Sequence, residues 1–216
     1  MSVVGQISSI ELRDLFISLV ALVVAFSVLI VGRSLPGIEI ILIITVGVGT
    51  GFLLHEMAHK FVAQHFGYHA EYRASMSGLI FAVVASFMGF LFAAPGAVMI
   101  SRSEALREFY QPGAFRQVDL TSEMKKEVLW ISLAGPMTNI ILTIFFFLFL
   151  LSGPGSIIAY QAANFSLFIN LTLAAFNMLP FGPLDGKKVF DSNKTIWALV
   201  GVPTILVALP VYFGLI

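Results

Sequence analysis

The chain has 216 residues, of which 58% are hydrophobic and 11% are charged, a composition that predicts an integral membrane protein. Lys and Arg balance Asp and Glu at 12 each, so no net charge attracts nucleic acid, and we expect no nucleic-acid partner. The absence of cysteine excludes disulfides, thiolate nucleophiles and cysteine ligands. Any metal ligands must therefore be His, Asp or Glu.

Six apolar runs approach or reach the roughly 20 residues that cross a bilayer. The first lacks a small-residue cleavage site, so we interpret it as a retained span rather than a signal peptide. We predict an all-α membrane protein, a polytopic transmembrane helix bundle of about five or six spans in a single domain over 1–216. Its core would cover about 38–190, with 15–31 and 198–216 peripheral. The runs are 15–31, 38–61, 79–94, 128–151, 157–178 and 198–216.

The run 79–94 is the doubtful span, because it is the shortest and is bracketed by Gly78 and Pro95-Gly96. If it crosses the membrane, six crossings divide the Lys and Arg nine to three. If it dips in and returns, five crossings leave Arg33 alone on one face. The positive-inside rule favours the second arrangement without excluding the first, and places the N-terminus in the cytoplasm. We therefore predict a re-entrant or β-strand-like insert near 78–100, since irregular backbone at membrane depth is tolerated within protein.

The sequence His55-Glu56-Met57-Ala58-His59 interrupts the second apolar run with three polar groups. On a helix the two histidines lie one turn apart on one face, so both imidazoles can reach one metal ion. Glu56 lies about 100° around the helix, close enough to polarise a metal-bound water. This is the H-E-x-x-H pattern of zinc peptidases. The alternative is two core histidines satisfied by hydrogen bonds.

A catalytic zinc needs a third protein ligand and an open position. His65 has the offset of some zinc peptidases, but Val62 stands where they have a helix-breaking glycine. On an unbroken helix His65 would lie about 15 Å beyond His55. Asp185 follows an apolar span and two prolines, which also fits an ordinary turn at a helix end. Five crossings bring Asp185 to the side where the motif helix ends, so we favour it.

With these motifs the chain resembles the site-2 protease family of zinc intramembrane metalloproteases. The resemblance implies one zinc ion per chain, bound by His55, His59 and Asp185, with Glu56 as base and Asn177 as a substrate or oxyanion contact. Residues 79–92 look inserted relative to that family. The residues that carry the resemblance are His55-Glu56-Met57-Ala58-His59, Gly135-Pro136-Met137-Thr138-Asn139 and Asn177…Pro180…Leu184-Asp185-Gly186.

The predicted function is hydrolysis of peptide bonds in or near transmembrane segments of membrane-anchored proteins by zinc-activated water. The expected partners are a transmembrane protein substrate and the lipid bilayer, with the active site opening toward the cytoplasm. An inactive zinc-binding relative and a metal or proton transporter are the alternatives; a transporter predicts inverted repeats, which we do not find. Asn139 is expected to be an interhelical hydrogen-bond group. Part of 78–100 is expected to offer a strand edge to substrate, or else to be a packing hairpin.

Overall fold

The computed structural model describes residues 7–32, 34–90, 95–101 and 122–212. Four of its helices are long and apolar enough to cross a membrane, and two apolar helices are shorter. The predicted polytopic helical architecture is therefore confirmed, although residues 213–216 of the last predicted span lie outside the described residues. In chain order the elements are α1 (Ser9–Val31), α2 (Ile38–Val48), a π-helical turn (Gly49–Leu53), α3 (Leu54–His65), β1 (His69–Ala74), α4 (Met76–Phe87), β2 (Gly96–Ser101), α5 (Ser122–Leu151), α6 (Ile157–Asn177), α7 (Asp185–Ser192) and α8 (Lys194–Tyr212).

The second membrane-length helix runs from Ile38 to His65 and contains the π-helical turn between α2 and α3. A π turn displaces backbone groups from the regular i to i−4 pattern and often occurs at functional sites. Here the carbonyl of Gly51 accepts a hydrogen bond from Asn139 Nδ2 of α5, at 2.9 Å. The widened turn therefore joins the motif helix to α5 one turn before His55.

The two strands pair antiparallel, with Ala74 opposite Gly96 and Tyr72 opposite Val98. Because Ala74 and Gly96 are partners, the segment between them starts and ends at one place. Helix α4, which lies in that segment, has only 12 residues and packs on α1. The described part of the predicted insert near 78–100 therefore consists of a short helix and strand β2, while residues 91–94 of the insert lie outside the described residues.

Carboxylates of α1 cover the outer edge of β1. Glu11 Oε1 accepts a hydrogen bond from the Tyr72 amide at 3.0 Å, and Asp14 Oδ2 accepts one from the Ala74 amide at 3.2 Å. The second oxygen of Glu11 accepts from Lys60 Nζ on α3. The carboxylates of α1 therefore accept the backbone hydrogen bonds that a third strand would accept. Through Glu11, α1 also connects the sheet to the helix that carries the H-E-x-x-H motif.

Two clusters of buried apolar side chains pack the elements around the site against one another. One contains Ile44 and Phe52 of the second span together with Tyr72 of β1. The other joins α5 to the chain segment after α6 and to α7. Within a membrane, where lipid tails are as apolar as these side chains, such clusters are held by close van der Waals packing. The second cluster consists of Leu129, Leu133, Met178 and Val189.

Candidate metal centre

Three buried side chains from α3 and α7 meet at one point. His55 Nε2 and His59 Nε2 are 3.0 Å apart. Asp185 Oδ2 lies 3.0 Å from His59 Nε2 and 3.5 Å from His55 Nε2. Within the described part of the chain, this is the one group of three or more His, Asp or Glu side chains whose ligand atoms all lie within 4.8 Å of one another. The rejected candidate His65 is not a member of it.

The first two members are brought together by helical spacing alone. Residues four apart on an α-helix lie on one face, and His55 and His59 are both within α3. His55 precedes the end of its helix at His65 by ten residues, which corresponds to about 15 Å along the axis. The imidazoles therefore lie well inside a membrane-length helix.

Asp185 reaches them because α7 begins at that residue. Leu184 precedes it in an extended conformation, after a turn that brings the chain back from the end of α6. A Cβ on Gly186 would collide with the backbone carbonyl group of Met178, so this close return of the chain requires glycine. Val189 of α7 packs on Met178 and fixes the helix against the bundle.

Each imidazole is oriented through its other nitrogen. His55 Nδ1 lies 2.5 Å from Asn139 Oδ1, and His59 Nδ1 lies 2.7 Å from the carbonyl oxygen of Ile131. A carbonyl oxygen only accepts, so both Nδ1 atoms are donors and both Nε2 atoms are left with lone pairs toward Asp185. Such contacts set the tautomer and ring orientation of metal-binding histidines.

Asn139 is buried at the centre of a network between three helices. Its Nδ2 donates to the Gly51 carbonyl at 2.9 Å and to Asn170 Oδ1 of α6 at 2.9 Å. Asn170 Nδ2 in turn donates to the Ser166 carbonyl. The expectation of an interhelical hydrogen-bond group is confirmed. The sequence did not reveal that the same amide also holds His55.

The donor set and the space around it fit a zinc ion. Zinc binds imidazole nitrogen and carboxylate oxygen, and a catalytic site has three protein ligands. Gly135 of α5 faces the two imidazoles: a Cβ there would lie 2.6 Å from His55 Nε2 and would collide with His59 Nε2. A glycine therefore keeps free the space beside the ligand atoms.

Asp185 has its two oxygens in different surroundings. Oδ2 faces the imidazoles, while Oδ1 accepts a hydrogen bond from Lys188 Nζ at 3.1 Å. The Lys188 ammonium is a cation that donates to Oδ1, and an adjacent cation that donates a hydrogen bond favours the ionised form of a carboxyl group. The side chain is therefore a carboxylate, the form that binds metal.

The other two predicted site residues are on α3 and at the end of α6. Glu56 is half-buried on α3 and directly follows His55 in the chain. Asn177 is half-buried at the end of α6, and its Nδ2 donates to the Leu173 carbonyl at 3.0 Å. That bond occupies one of the two amide hydrogens and leaves the other for a further acceptor.

An apolar helix bundle with a buried His-His-Asp group defines a class of protein, an integral membrane metalloprotein. The model of peptidase family M50 matches residues 43–166, which include both histidines. "Putative zinc metalloprotease MJ0611" of Methanocaldococcus jannaschii is 38% identical over 204 residues, covering 93% of each chain. None of the solved structures matches the chain significantly. The chain therefore belongs to peptidase family M50, the site-2 protease family, and is a zinc metalloprotease.

Proposed function

We propose that His55, His59 and Asp185 bind the catalytic zinc of an intramembrane endopeptidase, which cuts membrane-anchored proteins in or near their transmembrane segments. One observation carries the proposal: the three ligand atoms lie within 4.8 Å of one another, beside histidines that are about 9 to 15 Å from the end of a membrane-length helix. A metal site at that depth serves peptide bonds that a water-soluble protease does not reach. The whole chain would act as one catalytic domain.

The chemistry divides between the metal and two side chains. Bound zinc supplies a Lewis acid and lowers the pKa of water toward about 7. Glu56, adjacent to His55, accepts the proton of the attacking water and delivers it to the leaving amine. Asn177 has an amide hydrogen left for the oxygen of the scissile carbonyl, where negative charge develops.

A transmembrane substrate must unwind before its backbone can be cut, and strand β2 offers a place for the extended segment. The backbone amides of Tyr72 and Ala74 donate to α1 carboxylates, so the backbone N–H and C=O groups of these two residues point away from β2. In an antiparallel ladder their partners also face outward. The free edge of the described sheet therefore presents the backbone groups of Val98, together with those of Ile100 in the same alternation. We propose that substrate pairs with this edge.

The proposed orientation places the active site toward the cytoplasm. Because β1 pairs with β2, we infer that the insert begins and ends on one side of the membrane, which leaves five crossings if α8 completes the last one. Five crossings put Arg33 alone on one face and the other Lys and Arg on the opposite face. The positive-inside rule makes that second face cytoplasmic.

The test is cleavage of a model transmembrane substrate by the purified protein and its Glu56→Gln variant, with metal content measured on both. The variant should keep one zinc per chain and lose cleavage by at least about 100-fold, the usual contribution of a general base. Glu39→Gln is the matched control, because Glu39 is an exposed carboxylate at the other end of the same continuous helix. It should leave both quantities unchanged.

Three results would overturn the proposal or part of it. A zinc-loaded wild-type protein that cleaves no transmembrane substrate, like its Glu56→Gln variant, would indicate an inactive zinc-binding relative. Zinc transport across proteoliposomes without cleavage would indicate a transporter. Loss of zinc from an Asp185→Asn variant that still folds is expected, and its retention would remove Asp185 from the ligand set.

A further inference from the structure

We propose that Lys188 is a positioning residue, which holds one oxygen of Asp185 so that the carboxylate offers only its other oxygen to zinc. The proposal rests on the assignment of Asp185 as a ligand. Its experimental signature is a change in the coordination number of the bound metal, which is separate from whether the protein binds metal or cuts peptides.

The geometry separates the two carboxylate oxygens. Asp185 Oδ2 is 3.0 Å from His59 Nε2, whereas Oδ1 is 3.1 Å from Lys188 Nζ. Asp185 is the first residue of α7 and Lys188 is in the same turn, three positions later, so helical spacing makes the contact. A charge-assisted hydrogen bond of this kind is stronger than a neutral one.

The physical need for such a contact comes from the open position. A zinc site that activates water has three protein ligands and one site for water or substrate. A carboxylate free to turn can bind a metal through one oxygen or through both, and the second mode would add a fifth ligand that crowds the open position. Asp185 is almost fully buried whereas the Lys188 side chain is 38% exposed, so the ammonium meets the carboxylate at the edge of the site. There it keeps Oδ1 away from the metal.

The neighbouring lysine provides a matched control within the same helix. Lys187 Nζ pairs with Asp191 of α7, and both of those side chains are exposed. Substituting Lys187 therefore removes the same charge from the same helix without touching Asp185. Any effect specific to Lys188 is then attributable to its contact with the carboxylate and not to the net charge of α7.

The experiment compares Lys188→Met, Lys188→Arg and Lys187→Met, each loaded with Co²⁺ and, separately, with Zn²⁺. Lys188→Met should bind one metal per chain, and the visible absorption of its Co²⁺ form should weaken as the ion gains a fifth ligand. Its peptide cleavage should fall by about 10- to 100-fold, as for other groups that orient metal ligands. Lys188→Arg, which keeps a cation within reach of Asp185, should have the wild-type spectrum. Lys187→Met should have the wild-type spectrum as well.

Several results would overturn the proposal. A Lys188→Met spectrum equal to that of Lys187→Met means that Lys188 does not set the coordination. Loss of metal from Lys188→Met means that it holds α7 in place and does not select an oxygen. Absence of Co²⁺ from the wild-type protein overturns both this proposal and the ligand assignment. A wild-type protein with the expected Co²⁺ spectrum but no cleavage overturns only the proposed substrate class, because the spectral comparison still tests Lys188.

Discussion

Glu11 and Lys60 form an ion pair in which both side chains are fully buried, although they belong to the first and second membrane-length helices. Lys60 directly follows His59, and Glu11 also accepts the amide of Tyr72 on β1. One carboxylate therefore connects α1, the strand pair and the helix of the metal centre. This contact sets the position of the proposed substrate edge relative to the ligands.

Breaking this ion pair should be costly. Lys60→Met leaves the buried Glu11 charge without its counter-ion, and removing one partner of a buried pair typically costs about 3–5 kcal/mol. Adding Glu11→Gln should restore part of that loss. The free energy of unfolding in detergent measures both. Lys187→Met, which breaks an exposed pair, should cost less than about 1 kcal/mol; an equal loss in the two single variants would contradict the prediction.

Gly135→Ala should remove zinc from a protein that still folds. The added methyl group would occupy the space beside the Nε2 atoms of His55 and His59, where the metal must lie. Zinc content per chain, measured with thermal stability, should fall well below one. Gly155→Ala is the control because a Cβ there meets nothing within 4 Å. Full zinc occupancy of Gly135→Ala would refute the position inferred for the ion.

Substituting Asn139 should separate its two functions. Asn139→Leu removes the acceptor of His55 and both donated bonds, and zinc affinity should fall about 10- to 100-fold. Asn139→Asp keeps an oxygen toward His55 but loses the donors to Gly51 and Asn170. It should therefore bind zinc more tightly than the leucine variant while remaining less stable than wild type. Competition with a chelator gives the affinities, and equal values would show that His55 needs no acceptor.

The open edge of β2 can be tested with proline, which removes a single backbone donor. Val98→Pro deletes an amide that faces the edge and leaves the β1–β2 ladder intact, a placement that strands tolerate. We expect weaker substrate binding, seen as a higher KM, with folding preserved. Val98→Ala controls for the lost side chain. Met99→Pro deletes an amide that bonds to β1, so it should destabilise the sheet itself. If Val98→Pro and Val98→Ala behave alike, substrate does not pair there.

The histidines of the site could be predicted from the sequence because their spacing fixes their geometry. His55 and His59 are on one face of any helix, and the location of Asp185 followed from counting crossings and charges. Asn139 was recognised as an interhelical group, but the identity of its partners depends on how α5, α6 and the π turn are rotated. No local pattern contains that information.

Other parts of the fold depend on contacts distant in sequence. Strand β1 alternates in burial but has only six residues, so its pattern is too short to distinguish it from a loop after α3. Lys60, near the end of the second apolar run, is buried against Glu11. A charged residue near the end of an apolar helix usually marks the interface. Only its partner on another helix changes that interpretation.

The pairing of Ala74 with Gly96 has a consequence for how the chain can vary. Facing residues in such a ladder are about 5 Å apart, so a tight hairpin turn would bridge the gap that α4 and its flanking residues now occupy. Lengthening, shortening or deleting the segment between Ala74 and Gly96 does not change the side of the membrane on which each later helix begins. Asp185 would still arrive beside His55, whatever the size of the loop between them.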